Sequence, residues 1–205
     1  MFAKDITKSE INVLPLEKYE GKISLITKQS QLDEVFQEIM QHPVIGFDTE
    51  SKPAFRRGVW NPIALLQIAI PDKVFLIRLT HTGFDPYIRD FFANDLIQKV
   101  GISIRDDLKD LRKTWALPGN NPEDFQPSAI VELNDVANQL EIPHAGVRRL
   151  TAIFLGFRVS KSQQTSNWES PELTEAQLRY AATDAWVCLE IYNKLKAGGY
   201  LNALV

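Results

Sequence analysis

The chain has 205 residues, 44% of them hydrophobic and 24% charged. Those proportions suit one compact domain with a filled core and exclude a fibre or a disordered segment. A formal net charge of -3 and a pI near 5.7 exclude gripping of duplex DNA by bulk positive charge, so any contacts with nucleic acid must be local.

Residues Met1 to Gly21 mix charges with few periodic apolar positions and end in Tyr-Glu-Gly, the pattern of a tail or an arm laid on the surface. This segment contains no apolar signal-peptide core, and no apolar run in the chain reaches the roughly 18 residues of a bilayer span. The expectation is an unexported, cytoplasmic protein with one folded domain over residues 22-205.

Ile23 to Ile26 is a short apolar stretch. Ser30 then predicts the N-cap of an amphipathic helix running through Met40, with Leu32, Val35, Phe36 and Ile39 inward and Pro43 beyond its end. Strand patterns follow at Val44 to Thr49, Ala64 to Ile70 and Lys73 to Leu79, the last two joined by the turn pair Pro71-Asp72. The pattern then alternates: helix from Pro86 to Ala93, strand from Gln98 to Ser103, helix from Asp106 to Trp115, strand from Ala129 to Leu133, then helices. A three-strand meander followed by alternating strands and helices predicts an α/β fold with a mixed sheet. The last helix is the best marked. Thr174 and Gln177 form a capping box, Lys194 and Lys196 precede Gly198-Gly199, and Leu178, Ala181, Ala185, Leu189 and Tyr192 mark a packed side. Cys188, the single cysteine, excludes an internal disulfide and a cysteine-type zinc site and is read as packing on this helix.

The apolar strand Val44 to Phe47 runs into Asp48-Thr49-Glu50, placing two acids on one face of its C-terminal end. Like charges at that spacing repel unless a hard divalent cation lies between them. The competing reading is a solvated strand end. On the last helix Tyr180 and Asp184 are four apart and share a face, where phenol and carboxylate reach one water; a surface coincidence is the alternative. Asp107 follows the strand Val100 to Ile104, with Leu111 turning its helix inward. Asp106 stands beside it as the competing candidate, one of the pair serving as N-cap.

Together these residues resemble the DEDDy 3′ to 5′ exonucleases of the ribonuclease H-like superfamily, most closely the exonuclease domain of the Werner syndrome helicase and ribonuclease D. The resemblance covers roughly Ile23 to Leu195 and rests on three ordered motifs. These are Phe47-Asp48-Thr49-Glu50, Val100-Gly101 through Asp107-Leu108 with Leu111, and Tyr180-Ala-Ala-Thr-Asp184. Asn167-Trp168 and Ala64-Leu-Leu-Gln67-Ile68 are similar to the family's approach to its third motif and to its second strand. Pro171-Glu172-Leu173 departs from the usual Pro-Leu before the capping Thr and predicts an altered loop there. The sister class carries histidine five residues before the last aspartate, where Arg179 stands here, so tyrosine takes that role.

The resemblance implies a ribonuclease H-like mixed sheet and two-metal hydrolysis of phosphodiesters from a 3′ end, releasing nucleoside 5′-monophosphates. The substrate would be a single-stranded or recessed 3′ end, with DNA favoured over RNA. Asp48 would bridge two ions, Glu50 and Asp184 would hold the one that generates the nucleophile, Asp107 would anchor the one beside the leaving group, and Tyr180 would orient the water. Oxygen-only ligands select Mg²⁺ or Mn²⁺. Lys52, Arg56 and Arg57, and Arg148, Arg149, Arg158 and Lys161, are candidates for phosphate contacts or for solvated surface. Phe55, Trp60 and Trp168 are candidates for base stacking or for packing. His42, His81 and His144 share no ligand spacing, and Gly21-Lys22 lacks the loop of a nucleotide-hydrolysing motor. The alternatives are a catalytically silent module of the same fold that only binds nucleic acid, an endonuclease, or an RNA-processing exonuclease like ribonuclease D.

Overall fold

The computed structural model describes residues 2-56 and 58-201. In chain order the elements are α1 (Lys8–Val13), β1 (Lys22–Ile26), α2 (Leu32–Ile39), β2 (Val44–Ser51), β3 (Ile63–Ile70), β4 (Lys73–Arg78), α3 (Leu79–Thr82), α4 (Pro86–Ala93), β5 (Gln98–Gly101), α5 (Ile104–Ala116), β6 (Ile130–Glu132), α6 (Leu133–Gln139), α7 (Val147–Leu155) and α8 (Glu175–Ala197). The strands form one mixed sheet in the order β1-β4-β3-β2-β5-β6. β2, β3 and β4 are the antiparallel meander, with Ile70 paired to Lys73 across the two-residue turn. β5 and β6 extend the sheet in parallel from β2, and β1 closes the other edge in parallel with β4. The meander and the parallel strands were legible in the sequence. β1 was read there only as an apolar stretch, since five residues carry too short a pattern to announce a partner.

Apolar layers cover both faces. One buries Phe36, Ile39, Phe47, Ile68, Phe75, Phe91 and Phe92 under α2 and α4. The other packs Leu65, Ala69, Val74 and Leu76 against Ala181, Ala182, Ala185 and Leu189 of α8. β3, buried at all eight positions, is covered on both sides, which explains its unbroken apolar sequence.

Local differences from the sequence reading have physical causes. Ser30 is not the N-cap of α2: a 3₁₀ turn over Gln29–Gln31 precedes the helix, and the Gln31 side chain accepts from the Thr27 and Lys28 N–H groups. Leu32, Val35, Phe36 and Ile39 are buried as expected. α5 begins at Ile104, before both aspartates, so neither Asp106 nor Asp107 is its cap. On α8 the Thr174–Gln177 box forms in both directions, and Gly199, at φ +76°, takes the left-handed position beyond the end. Its burial is wider than one stripe. Cys188, Ile191, Tyr192 and Leu195 pack into a further cluster with α6 and α7, so α8 is sandwiched between sheet and helices.

Gly46 sets how closely α8 approaches β2. A Cβ there would lie 2.2 Å from the Ala185 carbonyl oxygen and 2.8 Å from the Leu189 nitrogen, both backbone atoms with no freedom to retreat. Gly46→Ala is expected to destabilise the fold by about 1-3 kcal/mol, read as a lower urea midpoint at unchanged m-value. An unchanged midpoint would show that α8 can shift away without cost.

Candidate active site

The site is built where β2 meets α8. Alternation along β2 turns Asp48 and Glu50 to the face that α8 covers, and a register shift between Glu50 and Ser51 against β3 marks a bulge where the strand leaves the sheet. From α8, Asp184 projects to the same place one helical turn beyond Tyr180. Asp48, Glu50 and Asp184 each offer an oxygen within 4.8 Å of the others. Asp107 enters from the first turn of α5, and its Oδ1 accepts a hydrogen bond from the Thr49 hydroxyl. Asp106 points away: it is exposed and pairs with Lys109 at 2.7 Å.

The four acids repel one another. Asp48 is pushed far above the usual carboxylate range by burial and then by Asp107, Asp184 and Glu50 in turn, which makes it the centre of the group. Glu50 is pushed up to about 9 by burial, Asp184 and Asp107. Asp184 rises to about 7 through burial, eased by the Tyr180 hydroxyl, and Asp107 to about 6 through burial, opposed by the Thr49 hydrogen bond. Burial and the same carboxylates also raise Tyr180, so the phenol stays protonated. Among the described residues, none of the four acids forms an ion pair with Lys, Arg or His. Gathered oxygen donors without a protein cation fit a hard divalent ion.

Several supports were not read from the sequence. Thr49, between the two acids of β2, is buried and holds Asp107. Glu132, at the end of β6, accepts from the Ser103 N–H at 2.9 Å, the Ile104 N–H at 2.8 Å and the Asn134 N–H at 3.0 Å. It thereby clamps the turn that leads to Asp107 and keeps Ser103 in a left-handed conformation at φ +63°. Asn134 adds bonds to the Ser103 hydroxyl and the Ala145 N–H. The available signal was an acid closing an apolar strand, the same pattern that singled out Asp48. Arg78, buried, donates to the carbonyls of Ser170 and Pro171 and fixes the divergent loop before α8.

A cleft of about 970 Å³ opens over the acids, lined by Asp48, Glu50, Tyr180 and Asp184 and walled by the start of α7 and the N-terminal arm. The arm is ordered, with Thr7 and Glu10 forming a capping box on α1. Of the predicted phosphate contacts, Lys161, Arg148 and Arg149 line this cleft. Arg149 pairs with Asp5, Arg148 donates to Asn12, and Arg158 donates to the Leu14 carbonyl. Lys52 pairs with Glu169 at 3.3 Å, Arg56 is exposed, and Arg57 lies outside the described residues. Trp168 is fully buried, 6.0 Å from the Tyr180 ring, and is packing rather than a stacking platform. Phe55 is exposed, and Trp60 lies under the Lys113 ammonium.

A helix-flanked mixed sheet bearing acids on its central strand is the architecture of ribonuclease H-like exonuclease domains. The family model described as 3′-5′ exonuclease matches residues 23-198, and the chain belongs to that family. It is 28% identical over 196 residues to the exonuclease mut-7 homolog of Aedes aegypti, covering 86% of this chain and 27% of that protein. With the mouse bifunctional 3′-5′ exonuclease/ATP-dependent helicase WRN it shares 29% over 192 residues, covering 89% of this chain and 13% of that protein. The chain thus spans a minor part of the length of these curated relatives. Among solved structures, the Aedes aegypti Nibbler EXO domain superposes with a TM-score of 0.75 at 25% identity, covering 92% of this chain and 94% of that one. The fold is also that of Escherichia coli RNase D, with a TM-score of 0.72 at 21% identity over 89% of this chain and 47% of that one.

Raised carboxylate values make a stability prediction. Glu50 and Asp184 bind protons more tightly folded than unfolded, so their contribution is complete below the ordinary carboxylate range and is lost as pH rises through about 7 and then about 9. A divalent cation favours the charged forms and opposes that loss. The Tm increment from added Mn²⁺, against a chelator control, is expected to grow steadily from about pH 5 to about pH 9, and to vanish in Asp48→Asn. An increment independent of pH would contradict the assignment.

Proposed function

We propose that the chain is a divalent-cation-dependent 3′ to 5′ exonuclease, releasing nucleoside 5′-monophosphates from a single-stranded or recessed 3′ end. The observation that carries the reading is the convergence of Asp48, Glu50 and Asp184 oxygens within 4.8 Å beside Tyr180, with Asp107 close enough to raise the proton affinity of Asp48. Membership of the exonuclease family supports it. Mg²⁺ or Mn²⁺ is the cofactor that the all-oxygen donor set favours.

When bound, the ions supply an activated water, neutralise charge on the nonbridging phosphate oxygens and stabilise the departing 3′ oxygen. Asp48, which feels all three other acids, would be the shared ligand of the ions. Glu50 and Asp184, adjoining Tyr180, would help hold the ion that activates the water, and Asp107 would help hold the ion that stabilises the leaving oxygen. A phenol that stays protonated is a hydrogen-bond donor and not a base, so Tyr180 orients the attacking water or the phosphate beside it. Thr49 and Glu132 position Asp107. DNA is the favoured polymer, on the likeness to the exonuclease that also carries a helicase. An RNA-processing role like that of ribonuclease D is separated from it by assay alone.

With 5′-labelled DNA and RNA, a ladder shortening from the 3′ end is expected in Mg²⁺ or Mn²⁺ and none in chelator. Asp48→Ala and Asp107→Ala should abolish it. Tyr180→Phe should lower kcat by about 10²-fold with little change in KM, the scale of a misplaced reacting group. Binding without cleavage in either metal would favour a silent binding module.

A further inference from the structure

The N-terminal arm spans the mouth of the cleft and is anchored at both ends. At its start, the Phe2 ring packs edge-on against Phe154 at 4.9 Å and tilted against Tyr200 at 5.0 Å, and Lys4 donates to the Leu140 carbonyl at 2.7 Å. At its far end, the Arg158 N–H donates to the Pro15 carbonyl at 2.8 Å, the Glu17 N–H returns to the Arg158 carbonyl at 3.0 Å, and the Tyr19 N–H donates to Thr183, the neighbour of Asp184, at 2.9 Å. Between the anchors, Asp5 pairs with Arg149 and Asn12 accepts from Arg148 at 2.7 Å. Ile11 is buried beneath the segment. Ile6, Thr7, Lys8 and Ile11 line the same cavity as Asp48, Glu50 and Tyr180.

We propose that this arm is the outer wall of the substrate cleft and favours an unpaired 3′ end over a paired one, a recessed end having to fray before it reacts. The inference rests on the exonuclease reading and assigns its strand selectivity to a named segment. A double helix, whose grooves alone measure about 12 and about 6 Å across, cannot enter a walled space of about 970 Å³ with both strands. A paired end must therefore unstack before its terminal phosphodiester reaches the acids, whereas a single strand threads between arm and α8 without that cost. The arm supplies its own cation, Lys8, to the wall. Asp5, paired with Arg149, occupies a cation that a strand's phosphate would otherwise contact.

The test compares kcat/KM on an unpaired 3′ overhang with that on a blunt duplex, in the wild type, in a chain lacking residues 2-13, and in Asp5→Ala/Asn12→Ala. Melting curves verify folding. The double variant removes only exposed polar anchors and remains informative if the deletion fails to fold. Loosening or removing the arm should lower the overhang-to-duplex ratio by about tenfold, through a faster rate on duplex. In Asp5→Ala alone, the slope of log Kd against log salt for the overhang should steepen by about one as Arg149 becomes free for a phosphate. A ratio unchanged in folded variants, or equal losses on both substrates, would overturn the proposal. A wild type inactive on every substrate would instead remove the exonuclease reading.

Discussion

Mutual repulsion of four carboxylates is the constraint on which the rest of the molecule turns. Asp48 and Glu50 come from β2, Asp107 from α5 and Asp184 from α8. The other three raise the proton affinity of Asp48, Asp107 and Asp184 raise that of Glu50, and burial is the first cause for all four. Side chains so placed would swing apart if their backbones allowed it. The fold removes that freedom. Gly46 admits the α8 backbone to the surface of β2, closer than any side chain would permit. β2 itself is held from both sides, antiparallel to β3 and parallel to β5. The acids are fixed by rigid elements, and the free energy of keeping them together is spread over a large apolar core rather than over local ion pairs.

Asp107 illustrates how far that rigidity reaches. The β5–α5 turn that presents it passes through a left-handed serine, a conformation that a non-glycine residue holds only when its surroundings over-determine it. Glu132 supplies that determination by accepting from two successive backbone N–H groups at the start of α5, which also sets a negative charge at the positive end of the helix. The same carboxylate caps α6 through Asn134, and Asn134 reaches on to Ala145 just before α7. One buried acid thus ties the turn that presents Asp107 to the helix that walls the cleft.

The strand-borne acids and the Tyr180–Asp184 pair were legible because each depends on a short-range rule: alternation along a strand, one turn along a capped helix. The meander, the parallel extension and the inward face of α2 were legible for the same reason. What the sequence concealed depends on long-range partners. Glu132 and Thr49 act on residues 28 to 58 positions away, and a single polar side chain carries no periodic signal for such a contact. Trp168 was ambiguous between platform and packing until its burial decided the matter. The arginines suggested for phosphate contacts were ambiguous too, and three of them turn out to anchor the N-terminal arm. Ser30 misled because a good capping residue was taken as a cap, while the chain used a 3₁₀ turn and Gln31 instead.

Low overall charge and a nucleic-acid substrate are compatible on this architecture. An acidic protein gains little from long-range attraction to a polyanion, and its association is correspondingly less steered. The cations that face the cleft are few, and the arm already engages two of them, Arg148 and Arg149. On the proposed reading, contacts along the backbone are local and add little discrimination, and the strongest differential interactions would lie at the acids, where a phosphodiester that reaches them would meet the divalent ion they hold. On that reading a site so organised would discriminate by which end can enter rather than by how tightly the polymer is held, since a segment bound elsewhere on the surface gains nothing toward reaction.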